Sequence, residues 1–300
     1  MGKTLAENFS AARAVFGEVD HALAQKLSAL MWEGPEAELT LTENAQPALM
    51  AVSIAVVRVL ESEHGVTVAN AAKFVAGHSL GEYSALAAAG TFSLSDAARL
   101  LKIRGQAMQA ATPVGIGAMA ALLGLDFSAA AKVAAEAAQG EICQAANDNS
   151  DGQVVISGHK AAVERALVIA KEKGAKRAIL LPVSAPFHCA LMQPAAERMA
   201  EALSNAAMKA PIIPLIPNVT AAPLSDPSEI RQKLVEQVTG TVRWRECVGY
   251  MVSNGIAQFW ELGVGKVLTG LLKKNAPEAE GFALATSGEI STAVTQLKRG

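Results

Sequence analysis

The chain has 300 residues, 51% hydrophobic and 18% charged, with 28 acidic against 26 basic side chains for a formal charge of −2. That length and apolar content allow one large domain or two ordinary ones around a sizeable core. Near-neutral charge and 4% aromatics argue against nucleic acid as a partner, which needs a basic surface and rings to stack on.

In chain order, apolar residues recur at helical spacing over 5–15 and 19–31, which predicts two helices. Pro47 opens a third over 48–60, since proline is tolerated in a first helical turn. The apolar run Lys73-Phe74-Val75-Ala76 reads as a strand leading into Gly77-His78-Ser79-Leu80-Gly81 and a helix to residue 89. Ser95-Asp96 starts a further amphipathic helix that runs to about residue 111. Thr112-Pro113-Val114-Gly115 is a breaker cluster, and the pattern changes after it. Strands are expected at 118–125, 142–146, 154–156 and 178–183, and helices at 128–138 and 159–173. Asn147-Asp148-Asn149-Ser150-Asp151-Gly152 is a dense turn signal between two of these strands. The order β-α-β-β-α-β is that of a ferredoxin-like unit, so residues 113–183 are expected to form a small inserted subdomain. The large subdomain would then be discontinuous, 1–112 and 184–300. Its second part continues with a helix at 190–205, a strand at 212–219 despite two prolines, and helices at 230–238 and 244–254. A strand at 257–262, a helix at 266–274, a short strand at 282–285 and a terminal helix at 292–298 follow. Strands alternating with helices predict an α/β fold with a mostly parallel sheet.

Apolar stretches are broken by Gly, Pro or charge before the roughly 20 residues a membrane span needs, so no membrane is expected. The segment Met1 to Glu7 lacks the apolar core of a signal peptide. Cys143, Cys189 and Cys247 form no CxxC pair and read as small buried residues in a reducing cytosol. A cytoplasmic protein is the expectation.

Gly77-His78-Ser79-Leu80-Gly81 is a G-x-S-x-G sequence with a strand before it and a helix after it, the context its chemistry requires. The sharp turn would strain Ser79, place its hydroxyl at a helix N-terminus, and leave the Leu80 N–H free to bind a developing oxyanion. The bland alternative is a tight strand-to-helix turn with an incidental serine. A serine nucleophile needs a base. Of the five histidines, His21 and His64 sit among charged residues, His78 adjoins Ser79 and should point away, and His159 starts a helix in the small subdomain. His188 follows Val183-Ser184-Ala185-Pro186-Phe187, where the chain re-enters the large subdomain after a strand, and is the candidate base. A satisfied structural histidine is the alternative. No aspartate stands in a distinctive context for a triad. Arg104 lies within an otherwise apolar helix, as either a surface arginine with a buried stem or a fork for a substrate carboxylate.

Ala76-Gly-His-Ser-Leu-Gly-Glu-Tyr-Ser-Ala-Leu86 resembles the nucleophile segment of bacterial malonyl-CoA:acyl-carrier-protein transacylases, the acyltransferase family of fatty-acid and polyketide synthesis. Gln46-Pro-Ala-Leu49, Arg104-Gly-Gln-Ala-Met108, Gly115-Ile-Gly-Ala-Met-Ala120 and Gly152-Gln-Val-Val-Ile-Ser-Gly158 resemble further blocks of that family. So do Pro182-Val-Ser-Ala-Pro-Phe-His188 and Gly265-Lys-Val-Leu-Thr-Gly270, all in the family's order. The resemblance implies an α/β-hydrolase-like large subdomain with a ferredoxin-like insert. It implies malonyl transfer from malonyl-CoA to acyl carrier protein, with no cofactor, coenzyme A being only the leaving group.

The resemblance also implies roles. Ser79 matches the acylated nucleophile, His188 its base, Leu80 the oxyanion amide and Arg104 the group that holds the malonyl carboxylate. Gln46, Asn149 in the asparagine-rich turn, and Phe187 would contribute to substrate binding. The histidine would be oriented by a backbone carbonyl near Arg243 in place of an acid. Val264 stands where a proline is usual. The family's opening strand and G-Q-G-S-Q are not found ahead of Met1-Gly2-Lys3, for which an upstream start codon is the favoured explanation over truncation. Two other classes share these features: a serine hydrolase or thioesterase with the same elbow, and an impaired paralogue that only binds carrier protein.

Overall fold

The computed structural model describes residues 1–297, an α/β molecule of many helices and mixed sheets. The first expected helix pair is three helices, Lys3–Asn8, Ser10–Leu23 and Leu27–Glu33. Phe9 is extended and Ala24 is left-handed, which breaks the run. The apolar spacing carries across both breaks because Leu5, Ala12, Val15, Phe16, Val19 and Leu27 all enter one core. The helix Thr42–His64 is longer than expected and contains Pro47, which does not open it. An 18-residue window of it has a mean hydropathy of 1.3, high enough for a membrane span, but 67% of that window is buried inside the protein. It packs against Ser10–Leu23 and Leu94–Ala110 as a core helix.

Four strands form one antiparallel sheet: β1 (Gly117–Leu123), β2 (Cys143–Ser150), β3 (Gln153–His159) and β4 (Arg177–Leu180), in the order β2-β3-β1-β4. The helices Phe127–Ala138 and Lys160–Glu172 connect them and share a core with one face of the sheet, where Leu122, Ile156, Val133 and Val163 are buried. Met119, Ala146 and Val155 form a separate cluster, against which Phe187 packs. The expected turn at 147–152 is a correction. β2 continues to Ser150, and only Asp151-Gly152 turn. Two residues with strong turn preferences are held in the strand by tertiary partners, Asp148 by Arg245 and Asn149 by His78.

Parallel pairing is present but short. β5 (Gln258–Leu262) and β6 (Glu280–Leu284) run parallel, and isolated parallel bridges join Val75 to Leu215 and Asn147 to Val242. Neither 73–76 nor 212–219 forms a full strand. Pro214 and Pro217 lack the N–H that a ladder requires, so the stretch pairs only around Leu215, with Val75 on one side and Leu224 on the other. That pairing still brings Asn218 beneath the Gly77–Gly81 turn. The last described helix, Ser287–Leu297, begins earlier than expected, and Lys298 of the expected helix lies outside the described residues.

Candidate active site

The turn at Ser79 is built by close approach. A Cβ on Gly77 would lie 1.9 Å from the Gly81 carbonyl carbon, so position 77 requires glycine. Gly81 meets nothing within 4 Å, so of the two glycines in the motif only the first is demanded by packing. Ser79 has φ 54°, a left-handed value that a non-glycine residue rarely holds. The helix Gly81–Ala88 starts directly after it. The Leu80 N–H has no hydrogen-bond partner among the described residues. That leaves a donor beside Ser79 at the positive end of a helix.

His188 also sits at a left-handed φ of 58° and is buried. Its Nε2 is 2.7 Å from Ser79 Oγ, and its Nδ1–H donates to the Gln237 carbonyl at 2.9 Å. Gln237 is in the last turn of Pro227–Thr239, where helical carbonyls lack an internal partner. The orienting carbonyl is thus Gln237, and the expectation that placed it near Arg243 is corrected. The Arg243 side chain is engaged with Glu246 and the Val219 carbonyl. Bonded at Nδ1–H, the imidazole presents an unprotonated Nε2 to the serine hydroxyl. Burial, and then the Arg104 charge, push His188 down to about 3, so the ring is neutral at ordinary pH.

Arg104 is 1% exposed, on the same stripe of helix Leu94–Ala110 as Ala97, Leu101 and Met108. The helix approaches Thr42–His64 closely because residue 105 is glycine; a Cβ there would lie 2.4 Å from Glu43 Cα. Across that contact Arg104 Nη1 donates to Gln46 Oε1 at 2.8 Å. Arg104 Nη2 donates to Gln237 Oε1 at 2.8 Å and to Ser79 Oγ at 3.1 Å. Its Nε has no partner among the described residues. Every acceptor around this buried cation is neutral. The Glu82 carboxyl meets this guanidinium only through Gln237, whose Nε2 donates to it. Burial pushes Glu82 up to about 8, against hydrogen bonds from Asn218 and Gln237 and the Arg104 charge. A guanidinium so placed is short of one charged acceptor, and a carboxylate one methylene away from an acyl carbon on Ser79 Oγ is within its reach.

Gln46 is buried and holds Arg104, while its Nε2 donates to Thr42 Oγ1. Phe187 is half-buried beside His188, touching the cluster of Met119, Ala146 and Val155. Asn149 stands apart from this group, its Oδ1 2.8 Å from His78 Nε2, so His78 does turn away from Ser79. Among the described residues no three His, Cys, Asp or Glu side chains gather as a metal site. Three residues were not singled out from the sequence: Glu82, Asn218 and Gln237. Gln237 carried a usable signal, a polar residue on the stripe of Ile230, Leu234 and Val238.

Residues 1–297 match the acyl transferase domain family. The malonyl CoA-acyl carrier protein transacylase of Bacillus subtilis (strain 168) is 46% identical over 299 residues, 99% of this chain and 93% of that one. The protein of that name from Escherichia coli (strain K12) is 44% identical over 290 residues, 97% and 93% of the two chains. An acyl-carrier-protein-S-malonyltransferase from Bartonella henselae superposes with a TM-score of 0.97 at 57% identity, covering 99% of this chain and 95% of that one. A malonyl-transacylase solved with a type II PKS acyl-carrier protein gives 0.95 at 42% identity, covering 99% and 94%. Sequence, fold and extent agree, and the chain belongs to the acyl transferase domain family.

Proposed function

We propose that the chain transfers a malonyl group from malonyl-CoA to the phosphopantetheine thiol of acyl carrier protein, through a malonyl ester on Ser79. The observation that carries this reading is the pairing of a serine–histidine dyad with a buried guanidinium that lacks a charged partner. His188 Nε2 takes the Ser79 proton as Oγ attacks the thioester carbonyl. The Leu80 N–H donates to the oxyanion, and the Gln237 carbonyl steadies the imidazolium through Nδ1–H. The carbon–sulfur bond breaks, and the imidazolium returns the proton to the CoA sulfur. In the second half the carrier thiol loses its proton to His188, attacks the ester, and Oγ leaves with that proton. Arg104 holds the malonyl carboxylate and so fixes the acyl carbon against both thiols, a use of binding energy for orientation. Gln46 and Gln237 aim the guanidinium, and Phe187 bounds the acyl pocket. Asn149 belongs to the approach by way of His78.

In this reading residues 113–183 are a ferredoxin-like insert, supported by the strand order β2-β3-β1-β4. Residues 1–112 and 184–300 form a hydrolase-like body, the reaction needs no cofactor, and the protein works in the cytoplasm. Mixed with malonyl-CoA alone, the protein should release CoA in one stoichiometric burst and then stall until carrier protein is added. Sustained CoA release without an acceptor would indicate a hydrolase, and no release an inactive paralogue.

A further inference from the structure

We infer that Asn218 is a positioning residue for acyl transfer, its carboxamide holding Ser79 in the left-handed conformation from which Oγ reaches His188. The inference rests on the reading of Ser79 as the nucleophile. A non-glycine residue at φ 54° persists only where its surroundings over-determine it. Here the Asn218 side chain spans the turn. Its Oδ1 accepts the Ser79 N–H at 2.8 Å, and its Nδ2 donates to the Gly77 carbonyl at 2.8 Å. One neutral group with a donor and an acceptor therefore clips both sides of His78. Each end faces a main-chain group of fixed polarity, so the amide has one orientation.

The clip is itself immobile. Asn218 is fully buried, its N–H donates to Glu82, and its carbonyl accepts the Arg243 N–H at 2.9 Å. The elbow helix thus secures, through Glu82, the residue that secures the elbow. Without the clip, Ser79 can relax towards ordinary φ values. Its Oγ would then leave the 2.7 Å contact with His188, and the Leu80 N–H would no longer point at the same place. Arg104, held by Gln46 and Gln237, would stay where it is. The expected signature is slow acylation with intact malonyl-CoA binding.

The test uses the full chain with Asn218→Ala and Asn218→Asp, following CoA release in a single turnover, Kd for malonyl-CoA and Tm. Asn218→Ala is expected to acylate about 100-fold more slowly, with Kd within about threefold of the parent. Asn218→Asp separates positioning from mere stability. As a neutral acid, residue 218 can still donate to Gly77 and accept from Ser79. As a carboxylate it sets a charged oxygen against the Gly77 carbonyl. Its acylation rate relative to the parent should be highest at acidic pH and fall as pH rises. An Asn218→Ala variant that acylates within about threefold of the parent would overturn the inference. If that variant fails to fold, the aspartate series decides alone, and a rate ratio independent of pH overturns it. Failure of both variants to fold would make Asn218 structural and equally overturn it. A parent that releases no CoA would instead remove the acyl-transfer reading on which the inference stands.

Discussion

Arg104 defines the site more than the dyad does, because serine–histidine pairs are shared by many enzymes and a buried cation among neutral acceptors is not. A guanidinium with Gln46, Gln237 and Ser79 as its acceptors awaits an anion. Arg104→Ala is therefore expected to shift preference from malonyl-CoA towards acetyl-CoA. A charge-assisted contact contributes about 1.5–3 kcal/mol, so the ratio of kcat/KM for the two substrates should fall by about one to two orders of magnitude. An unchanged ratio would take Arg104 out of carboxylate recognition. The same charge bears on the base. His188 is held at about 3 by burial first and Arg104 second, so the acid limb of kcat/KM should lie well below the ordinary histidine value of 6.5. Removing the Arg104 charge should move that limb upwards. A limb near 6.5 in the parent would contradict the buried, neutral imidazole. The linkage to stability has a definite sign. The unfolded chain protonates this histidine first, so its contribution to stability declines as pH falls from 6.5 towards about 3.

Two helices meeting at Gly105 set where the guanidinium lies. Gly105→Ala would place a Cβ 2.4 Å from Glu43 Cα and force Leu94–Ala110 away from Thr42–His64. A loss of about 1–3 kcal/mol in stability is expected, seen as a lower Tm, together with weaker malonyl discrimination as the Arg104–Gln46 bond opens. A Tm and selectivity equal to the parent's would show that the helices can separate without consequence. The elements were legible in the sequence wherever local pattern and tertiary role agreed. The helix Leu94–Ala110 was legible from its periodicity, though it starts one residue earlier than the expected Ser95-Asp96, capped by Ser93, which accepts from the Asp96 N–H. The strand–turn–helix context of Ser79 was readable as a motif, though Val75 pairs only as an isolated bridge. Failures came where long-range partners overrode local preference. The asparagine-rich run of β2 stays extended because Asp148 and Asn149 are paired from outside, and 212–219 is shaped by its prolines. Gln237 was missed for a related reason: it orients His188 through a main-chain carbonyl, and its side chain meets Arg104 and Glu82 only across long sequence separations.

Across the whole molecule the dyad lies where the antiparallel sheet meets the body. β2 is stitched to the body through main chain, Asp148 N–H to the Val242 carbonyl at 2.9 Å and Val242 N–H to the Ala146 carbonyl at 2.8 Å. An ion pair between Arg245 and the buried Asp148 adds to that seam, as does the Ala190 N–H donating to Gln144 Oε1 at 2.8 Å. Phe187 packs on the sheet side while His188 turns to Gln237, so the seam and the base share one short segment. Body and sheet together therefore fix the dyad before any substrate arrives, which is what a covalent relay between two large thiol carriers requires. Acyl transfer by this route requires that Ser79 Oγ carry the acyl group. Intact-mass measurement after brief mixing with malonyl-CoA tests it most directly, in the parent and in Ser79→Ala, which removes one oxygen and leaves the packing unchanged. The parent should gain the mass of one malonyl group and the variant none; a malonyl adduct on the folded Ser79→Ala protein would contradict the account.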